Sequence, residues 1–268
     1  MSEKYEDHLP DDLIQVDSIF GKVLTFRNDI ITNQIIKFGA HTRPELAMLL
    51  TVIASGDAVF DLGAHIGTYT IPIARKIGTS GRVLAVEGLP KNFDVLLRNL
   101  DIQELRGIVM PLNVLIAPEN TLYSPVFKER NSGGTHFESS VADQETVSVR
   151  ISGIDELCTH YFAPRVIKID IEGFEAFALS ASQFVQDKRP IIYCEISATN
   201  LARADASVSG LENLFRTCDY RLFRNITPRN AATDLFSAKE LWDLAEGGDF
   251  FDVLAIPEGD PRIEWLVR

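Results

Sequence analysis

The chain has 268 residues, of which 46% are hydrophobic and 24% charged, with a formal net charge of −12. That composition belongs to a folded protein, long enough for one large α/β domain over residues 1–268 and too short for a second independent core to be expected. The acidic field argues against nucleic acid and anionic membrane surfaces as partners.

Met1-Ser-Glu-Lys-Tyr-Glu-Asp-His8 opens with acid where a secretory leader would carry base and then an apolar run. No window approaches a membrane span either, so a cytoplasmic location without membrane insertion is expected. Cys158, Cys194 and Cys218 are odd in number and far apart, indicating neither a disulfide framework nor a zinc site.

In chain order, residues 1–12 read as a loose arm and Ile19–Phe26 as half of a hairpin, by its alternation about Gly21. Pro44–Ile53 has helical apolar spacing behind Thr42, a cap candidate, and is expected over the sheet edge before the first core strand. Residues 1–56 therefore form an N-terminal extension placed to cover one end of a ligand. Ala58-Val-Phe-Asp-Leu-Gly-Ala-His-Ile-Gly67 runs an apolar strand into Asp61 and then a Gly63-x-x-x-Gly67 turn. A helix is expected to begin near His65 and to continue through Thr68–Ile77 until Gly78 stops it.

That turn reads as a cofactor cradle. Missing side chains at Gly63 and Gly67 would let a ligand approach the backbone of Gly63, Ala64, His65 and Gly67, with free N–H groups aimed at it. Asp61 would repel a pyrophosphate but attract ammonium and sulfonium groups, the charges of S-adenosylmethionine. The dinucleotide pattern G-x-G-x-x-G is not met, because His65 stands where a pyrophosphate needs glycine. Arg82–Glu87 is a second apolar strand ending in acid, and Glu87 lies twenty positions past Gly67 (87 − 67 = 20), the offset of a ribose-binding carboxylate.

Asn92–Leu100 follows as a helix with Pro90 in its first turn, and Ile108–Leu112 as a buried strand. Asn113 and Val114 then stand where such folds present residues to an adenine ring, although Asn113 reads equally well as a turn residue. Residues 121–150 read as inserted strands around the polar stretch Glu129–Phe137, either a lid or a surface excursion. Val166–Asp170 is a parallel strand followed by a helix through Leu179, and Pro190–Glu195 is the next. Leu211–Thr217 is a helix, Tyr220–Phe223 a strand and Phe250–Ile256 the last strand. Alternating strands and helices give a doubly wound α/β sheet with ligands at the strands' carboxyl ends.

Three blocks carry a resemblance. Val59-Phe-Asp-Leu-Gly-Ala-His-Ile-Gly-Thr-Tyr-Thr70, Gly81-Arg-Val-Leu-Ala-Val-Glu-Gly-Leu-Pro90 and Ile167-Lys-Ile-Asp-Ile-Glu-Gly-Phe-Glu175 together resemble the FkbM-type family of S-adenosylmethionine-dependent O-methyltransferases, over roughly residues 15–257. The third block, followed by a strand ending Tyr193-Cys-Glu195, is the most specific. His65 replaces the family's usual Asn and Gly88 its frequent Pro, so contacts of those side chains do not carry over. The resemblance implies a mostly parallel seven-stranded Rossmann-like methyltransferase sheet with its last strand antiparallel. An N-terminal hairpin and helix extension and a β-insertion complete the expected fold. The implied acceptor is a hydroxyl of a sugar, within a glycan, or of a small secondary metabolite.

Methyl transfer from a sulfonium is an in-line displacement, so holding the partners collinear is most of the task. An aliphatic hydroxyl also needs a group to take its proton. Asp170 is the first choice as that base, with Lys168 on the same strand face holding it ionised. Glu195 is a second candidate. Glu172 fits either a catalytic role or the start of the following helix. If Asp170, Glu172 and Glu195 converge, they could instead hold Mg²⁺ or Ca²⁺, although a metal is not the favoured reading. His65 and His136 are further possible proton acceptors.

Two other classes are weaker. A nicotinamide oxidoreductase fails at His65, and a non-catalytic binding module leaves the strand-end carboxylates unexplained. Nucleic-acid N-methylation would place Asn-Pro-Pro-aromatic where this chain has Asp-Ile-Glu-Gly, and Arg221, Arg224 and Arg229 read as solvated surface.

Overall fold

The computed structural model describes residues 9–118, 123–139 and 150–266. Most of the expected arm, and residues 121–122 and 140–149 of the expected insertion, lie outside them. The leading segment forms a hairpin of β1 (Leu13–Ser18) and β2 (Gly21–Phe26), then α1 (Ile30–Phe38) and α2 (Arg43–Thr51). Gly21, with φ +102°, closes the turn between the strands and is not a strand centre. Helix α1 has no counterpart in the sequence reading, yet Asp29 caps it by accepting from the Ile31 N–H at 2.8 Å and Gly39 ends it in the left-handed region.

The remaining elements follow in chain order. They begin with β3 (Ala58–Leu62), α3 (Thr70–Ile77), β4 (Arg82–Val86), α4 (Pro90–Ile102), β5 (Val109–Leu112) and β6 (Leu115–Ile116). Next are β7 (Tyr123–Val126), β8 (His136–Ser139), β9 (Ile151–Ser152), α5 (Ile154–His160), β10 (Val166–Ile169), α6 (Glu175–Ser180) and α7 (Gln183–Lys188). The chain ends with β11 (Ile191–Ser197), α8 (Ala198–Arg203), α9 (Val208–Thr217), β12 (Tyr220–Asn225), β13 (Ala238–Leu241), β14 (Phe250–Pro257) and α10 (Ile263–Leu266).

Eight strands make the central sheet, in the order β13-β12-β14-β11-β10-β3-β4-β5. Strands β5, β4, β3, β10 and β11 pair in parallel, and β14 runs antiparallel to both its neighbours. The seven expected strands are therefore present with the last reversed. Strand β13 is an eighth, antiparallel at the edge beyond β12. Ala-Lys-Glu-Leu is too short and too charged to show an alternation, and only its pairing to β12 makes it a strand.

Both faces of the sheet are covered. Val59, Val83, Val109, Val166, Ile191 and Leu254 point to the side packed by α2, α3, α4 and α10. Phe60, Leu84, Ile167, Ile192 and Val253 point to the side packed by α5, α6, α7 and α9. Burial on both faces is why the parallel strands read as continuous apolar runs. Helix α2 packs on that first face, against α3, α10 and β12, the strand beside the β13 edge. The hairpin is held by the buried Asn99 of α4, whose side chain takes the Leu24 N–H at 2.6 Å and donates to the carbonyls of Leu24 and Ile66 at 3.0 and 2.8 Å.

Candidate active site

The chain leaves β3 through Gly63, whose φ is +80°. A Cβ at this position would lie 1.7 Å from the carbonyl oxygen of Asp170, so glycine is required because the exit of β10 crosses here. Gly63 lines the cavity, as does His65, while the side chain that Gly63 lacks also makes room for this carbonyl. Gly67 packs against Leu96 of α4 and, like Ala64, lies off the cavity wall. The expected free donors are also spent: Gly63 and Ala64 donate to the Val86 carbonyl at 2.9 and 2.8 Å, and the His65 N–H donates to Glu87 Oε2 at 2.8 Å. Helix α3 begins at Thr70 rather than near His65.

Asp61 is fully buried beneath this turn. Its Oδ2 accepts from the Thr70 hydroxyl at 2.6 Å, and its Oδ1 lies 3.4 Å from Lys168 Nζ. Sheet register sets Lys168 of β10 directly beside Asp61 of β3. The ammonium also donates to the Gly63 carbonyl at 2.8 Å and stands 3.8 Å from Asp170 Oδ2. Burial alone would lower the pKa of Lys168, but Asp61 and Asp170 raise it above the ordinary lysine value. Lys168 therefore belongs first to Asp61 and only second to Asp170. Asp61 itself does not line the cavity; it sets the charge of the lysine that does.

Glu87 follows β4 and faces the cavity while accepting the N–H groups of His65 and Leu89, both at 2.8 Å. Burial raises its pKa to about 7 against those hydrogen bonds. Gly88, Val114, Leu115 and Ile116 extend the wall beside it as a mostly apolar slot. Asn113 points elsewhere: its amide donates to the carbonyls of Glu87 and Gly88 at 2.7 and 3.3 Å, the turn role of its two readings.

On the other side of the cavity, β10 runs into Asp170-Ile-Glu-Gly173. Glu172 sits in the left-handed region at φ +56°, and Gly173 at +121°, where a Cβ would meet the Asn200 carbonyl oxygen at 2.5 Å. That approach lets the Asn200 amide donate to Glu172 Oε2 at 2.8 Å. The helix-start role falls to Glu175, which opens α6 and accepts the N–H groups of Ile171 and Gly173. Asp170, Glu172 and Glu195 converge, offering carboxylate oxygens all within 4.8 Å of one another. Burial and the neighbouring carboxylates push the pKa of Glu172 up to about 8 and that of Glu195 well above the usual range.

The roof comes from the leading segment and the insertion. Strands β7 and β8 pair, and the loop between them is tied to α1 by Asp29, which accepts the Ser132 N–H at 2.6 Å, and by the Ile30 N–H to the Arg130 carbonyl at 2.9 Å. Lys128, Asn131 and Phe137 of the insertion line the cavity. His65 reaches this loop through Nε2, 2.9 Å from Ser132 Oγ, and burial lowers its pKa to about 4, so it is neutral near neutral pH. His136 points away from the cavity and pairs with Glu138.

Because β14 is reversed, its start and the loop after β12 lie at the same sheet edge as the carboxylates. Arg229, Asn230, Asp249 and Phe250 therefore join the wall, which the sequence reading missed. Arg229, expected in solvent, pairs with the buried Asp252 at 2.7 Å. Arg221 does face outward, in a bidentate pair with Glu240. The cavity encloses about 610 Å³, within the ~300–1,000 Å³ usual for a small-molecule site.

A family model described as "Methyltransferase FkbM domain" matches residues 61–222. No curated protein matches the chain. Among solved structures, methyltransferase FkbM from Methylobacillus flagellatus KT is 20% identical, with 74% of this chain and 43% of that one covered and a TM-score of 0.44. TYW2 from M. jannaschii, solved in complex with AdoMet, is 12% identical over 92% of this chain and 86% of that one, with a TM-score of 0.45. Precorrin-6y C5,15-methyltransferase from Geobacter metallireducens GS-15 is 11% identical over 78% and 84%, with a TM-score of 0.44.

Proposed function

The chain belongs to the FkbM methyltransferase family, and from that premise we propose that it transfers a methyl group from S-adenosylmethionine to a hydroxyl oxygen of a sugar-containing or small-molecule acceptor. The observation that carries the reading is the placement of Glu87 and Asp170 on opposite sides of one cavity. Glu87 would accept the ribose hydroxyls, beside the apolar slot of Val114, Leu115 and Ile116 for the base. S-adenosylmethionine, when bound, supplies an electrophilic methyl group and a positive sulfonium. The Asp170 carboxylate would favour that positive charge, and Lys168 beside it is shared with Asp61 and the Gly63 carbonyl.

Asp170 is the group to take the acceptor's proton. It lines the cavity with 37% of its side chain exposed, and Lys168 Nζ stands 3.8 Å from its Oδ2. Asn200, Thr199, Asn230 and Gln34 give the far wall a hydrogen-bonding surface suited to a polyhydroxylated acceptor. The net charge of −12 disfavours a polyanionic one.

Asp170→Asn is expected to lower turnover by about 10²–10⁴-fold, with S-adenosylhomocysteine still bound in calorimetry. Unchanged turnover removes Asp170 from the chemistry. A wild-type chain that binds NADH and no S-adenosylhomocysteine overturns the reading, and transfer of labelled methyl to RNA but to no hydroxyl compound overturns the acceptor class.

A further inference from the structure

Among the described residues, one set of three acidic side chains brings its oxygens together: Asp170, Glu172 and Glu195, within 4.8 Å of one another. Oxygens on opposite sides of a hard divalent ion, each about 2.0–2.6 Å from it, are separated by roughly 4–5 Å. The observed spread lies within that range and leaves room for an ion among the three. Convergence of acids is by itself only a crowding of like charge.

The second observation is the condition of Glu195. Its side chain is 7% exposed, it lines the cavity, and no described residue gives its carboxylate a hydrogen bond or an ion pair. A buried carboxylate in that state either keeps a proton or draws something positive to it. Two of the nearby cations are committed, while Lys128 and Arg203 also line the cavity. Lys168 serves Asp61 and the Gly63 carbonyl before Asp170, and Arg229 serves Asp252, which stands directly across from Glu195 in the antiparallel register. Register therefore places two acids opposite each other, and the Arg229 guanidinium goes to Asp252.

From this geometry we infer that Asp170, Glu172 and Glu195 form a binding site for a hard divalent cation of the Mg²⁺, Mn²⁺ or Ca²⁺ kind, on the cavity wall facing the nucleoside cradle. All three ligands are carboxylate oxygens, with no imidazole or thiolate to select zinc or copper. Glu172 is aimed by its left-handed backbone and by the Asn200 amide, which leaves its other oxygen free for the ion. The ion site does not depend on the methyl-transfer reading. If both hold, the ion would lower the pKa of an acceptor hydroxyl at this wall and so share the work assigned to Asp170.

The test uses the full chain, freed of metal with a chelator and titrated with MnCl₂ under electron paramagnetic resonance, with and without S-adenosylhomocysteine. One Mn²⁺ per chain is expected, displaced by Mg²⁺ or Ca²⁺. Glu195→Gln and Glu172→Gln should each weaken Mn²⁺ binding by about tenfold or more, while both still bind S-adenosylhomocysteine and keep their circular dichroism. If Glu195→Gln proves unfolded, Glu172→Gln, which is less buried, decides the matter alone. A wild-type chain that binds S-adenosylhomocysteine but no Mn²⁺ overturns the inference, as does Mn²⁺ binding untouched by either substitution. Mn²⁺ binding without S-adenosylhomocysteine binding supports the ion site and sinks the methyl-transfer reading instead.

Discussion

The two sides of the cavity carry the same kind of side chain in opposite electrostatic conditions. On the β3–β4 side each acid has close partners: Asp61 Oδ2 takes the Thr70 hydroxyl while Lys168 stands 3.4 Å from its Oδ1, and Glu87 takes two backbone N–H groups. On the β10–β11 side Asp170, Glu172 and Glu195 crowd together, and Glu195 has no described partner. The first arrangement holds a turn rigid before any ligand arrives. The second gathers three acids whose ionised forms crowd one another, a wall that favours a proton or a cation.

The sharpest way to break this comparison is at the crossing that joins the two sides. Gly63→Ala should destabilise the protein by about 4 kcal/mol or more, because the new Cβ would stand 1.7 Å from the Asp170 carbonyl oxygen at φ +80°. Chemical denaturation measures it, and a loss below about 1 kcal/mol would show that the crossing relaxes. Next comes a paired substitution. Asp61→Ala strands the buried Lys168 ammonium and should cost about 3–5 kcal/mol, whereas Glu195→Gln in metal-free buffer should cost less than about 1 kcal/mol or stabilise. Equal losses in the two variants would erase the contrast.

A third effect is smaller and depends on pH. The folded-state pKa of Glu87 is raised to about 7 from the ordinary 4.5, so the empty protein retains this proton where the unfolded chain has lost it. Stability on this account falls as pH rises between those two values. Ribose hydroxyls donate to the ionised form, so ligand binding should run the other way. S-adenosylhomocysteine affinity is expected to rise about tenfold from about pH 6 to about pH 8, and Glu87→Gln should flatten the profile in calorimetry. The smallest effect belongs to Asn113→Ala, which removes the amide donated to the Glu87 and Gly88 carbonyls. A loss of about 1 kcal/mol is expected, with ligand affinity changed only slightly.

Much of the fold was legible because its signals are local. Val59-Phe60 and Val166-Ile167 are apolar on both faces, as a parallel strand between two helical layers must be, and Gly78 and Pro90 punctuate the helices beside them. The acids at the strand ends were legible for the same reason. Helix α1 and strand β13 were not: the first is anchored by Asp29, which also reaches Ser132, and the second exists only through its ladder to β12.

The residue pattern alone determined a doubly wound sheet with acids at the carboxyl ends of its strands, since burial periodicity and turn chemistry act within a few positions along the chain. Tertiary structure decided what each acid faces. It assigned Lys168 to Asp61 by register, paired Arg229 with Asp252 of the reversed β14, filled the space beside Gly63 with a carbonyl, and left the Glu195 carboxylate without a hydrogen bond from any described residue. These outcomes depend on pairings between segments far apart in sequence, and charge compensation is a property of such neighbours rather than of any one stretch of chain.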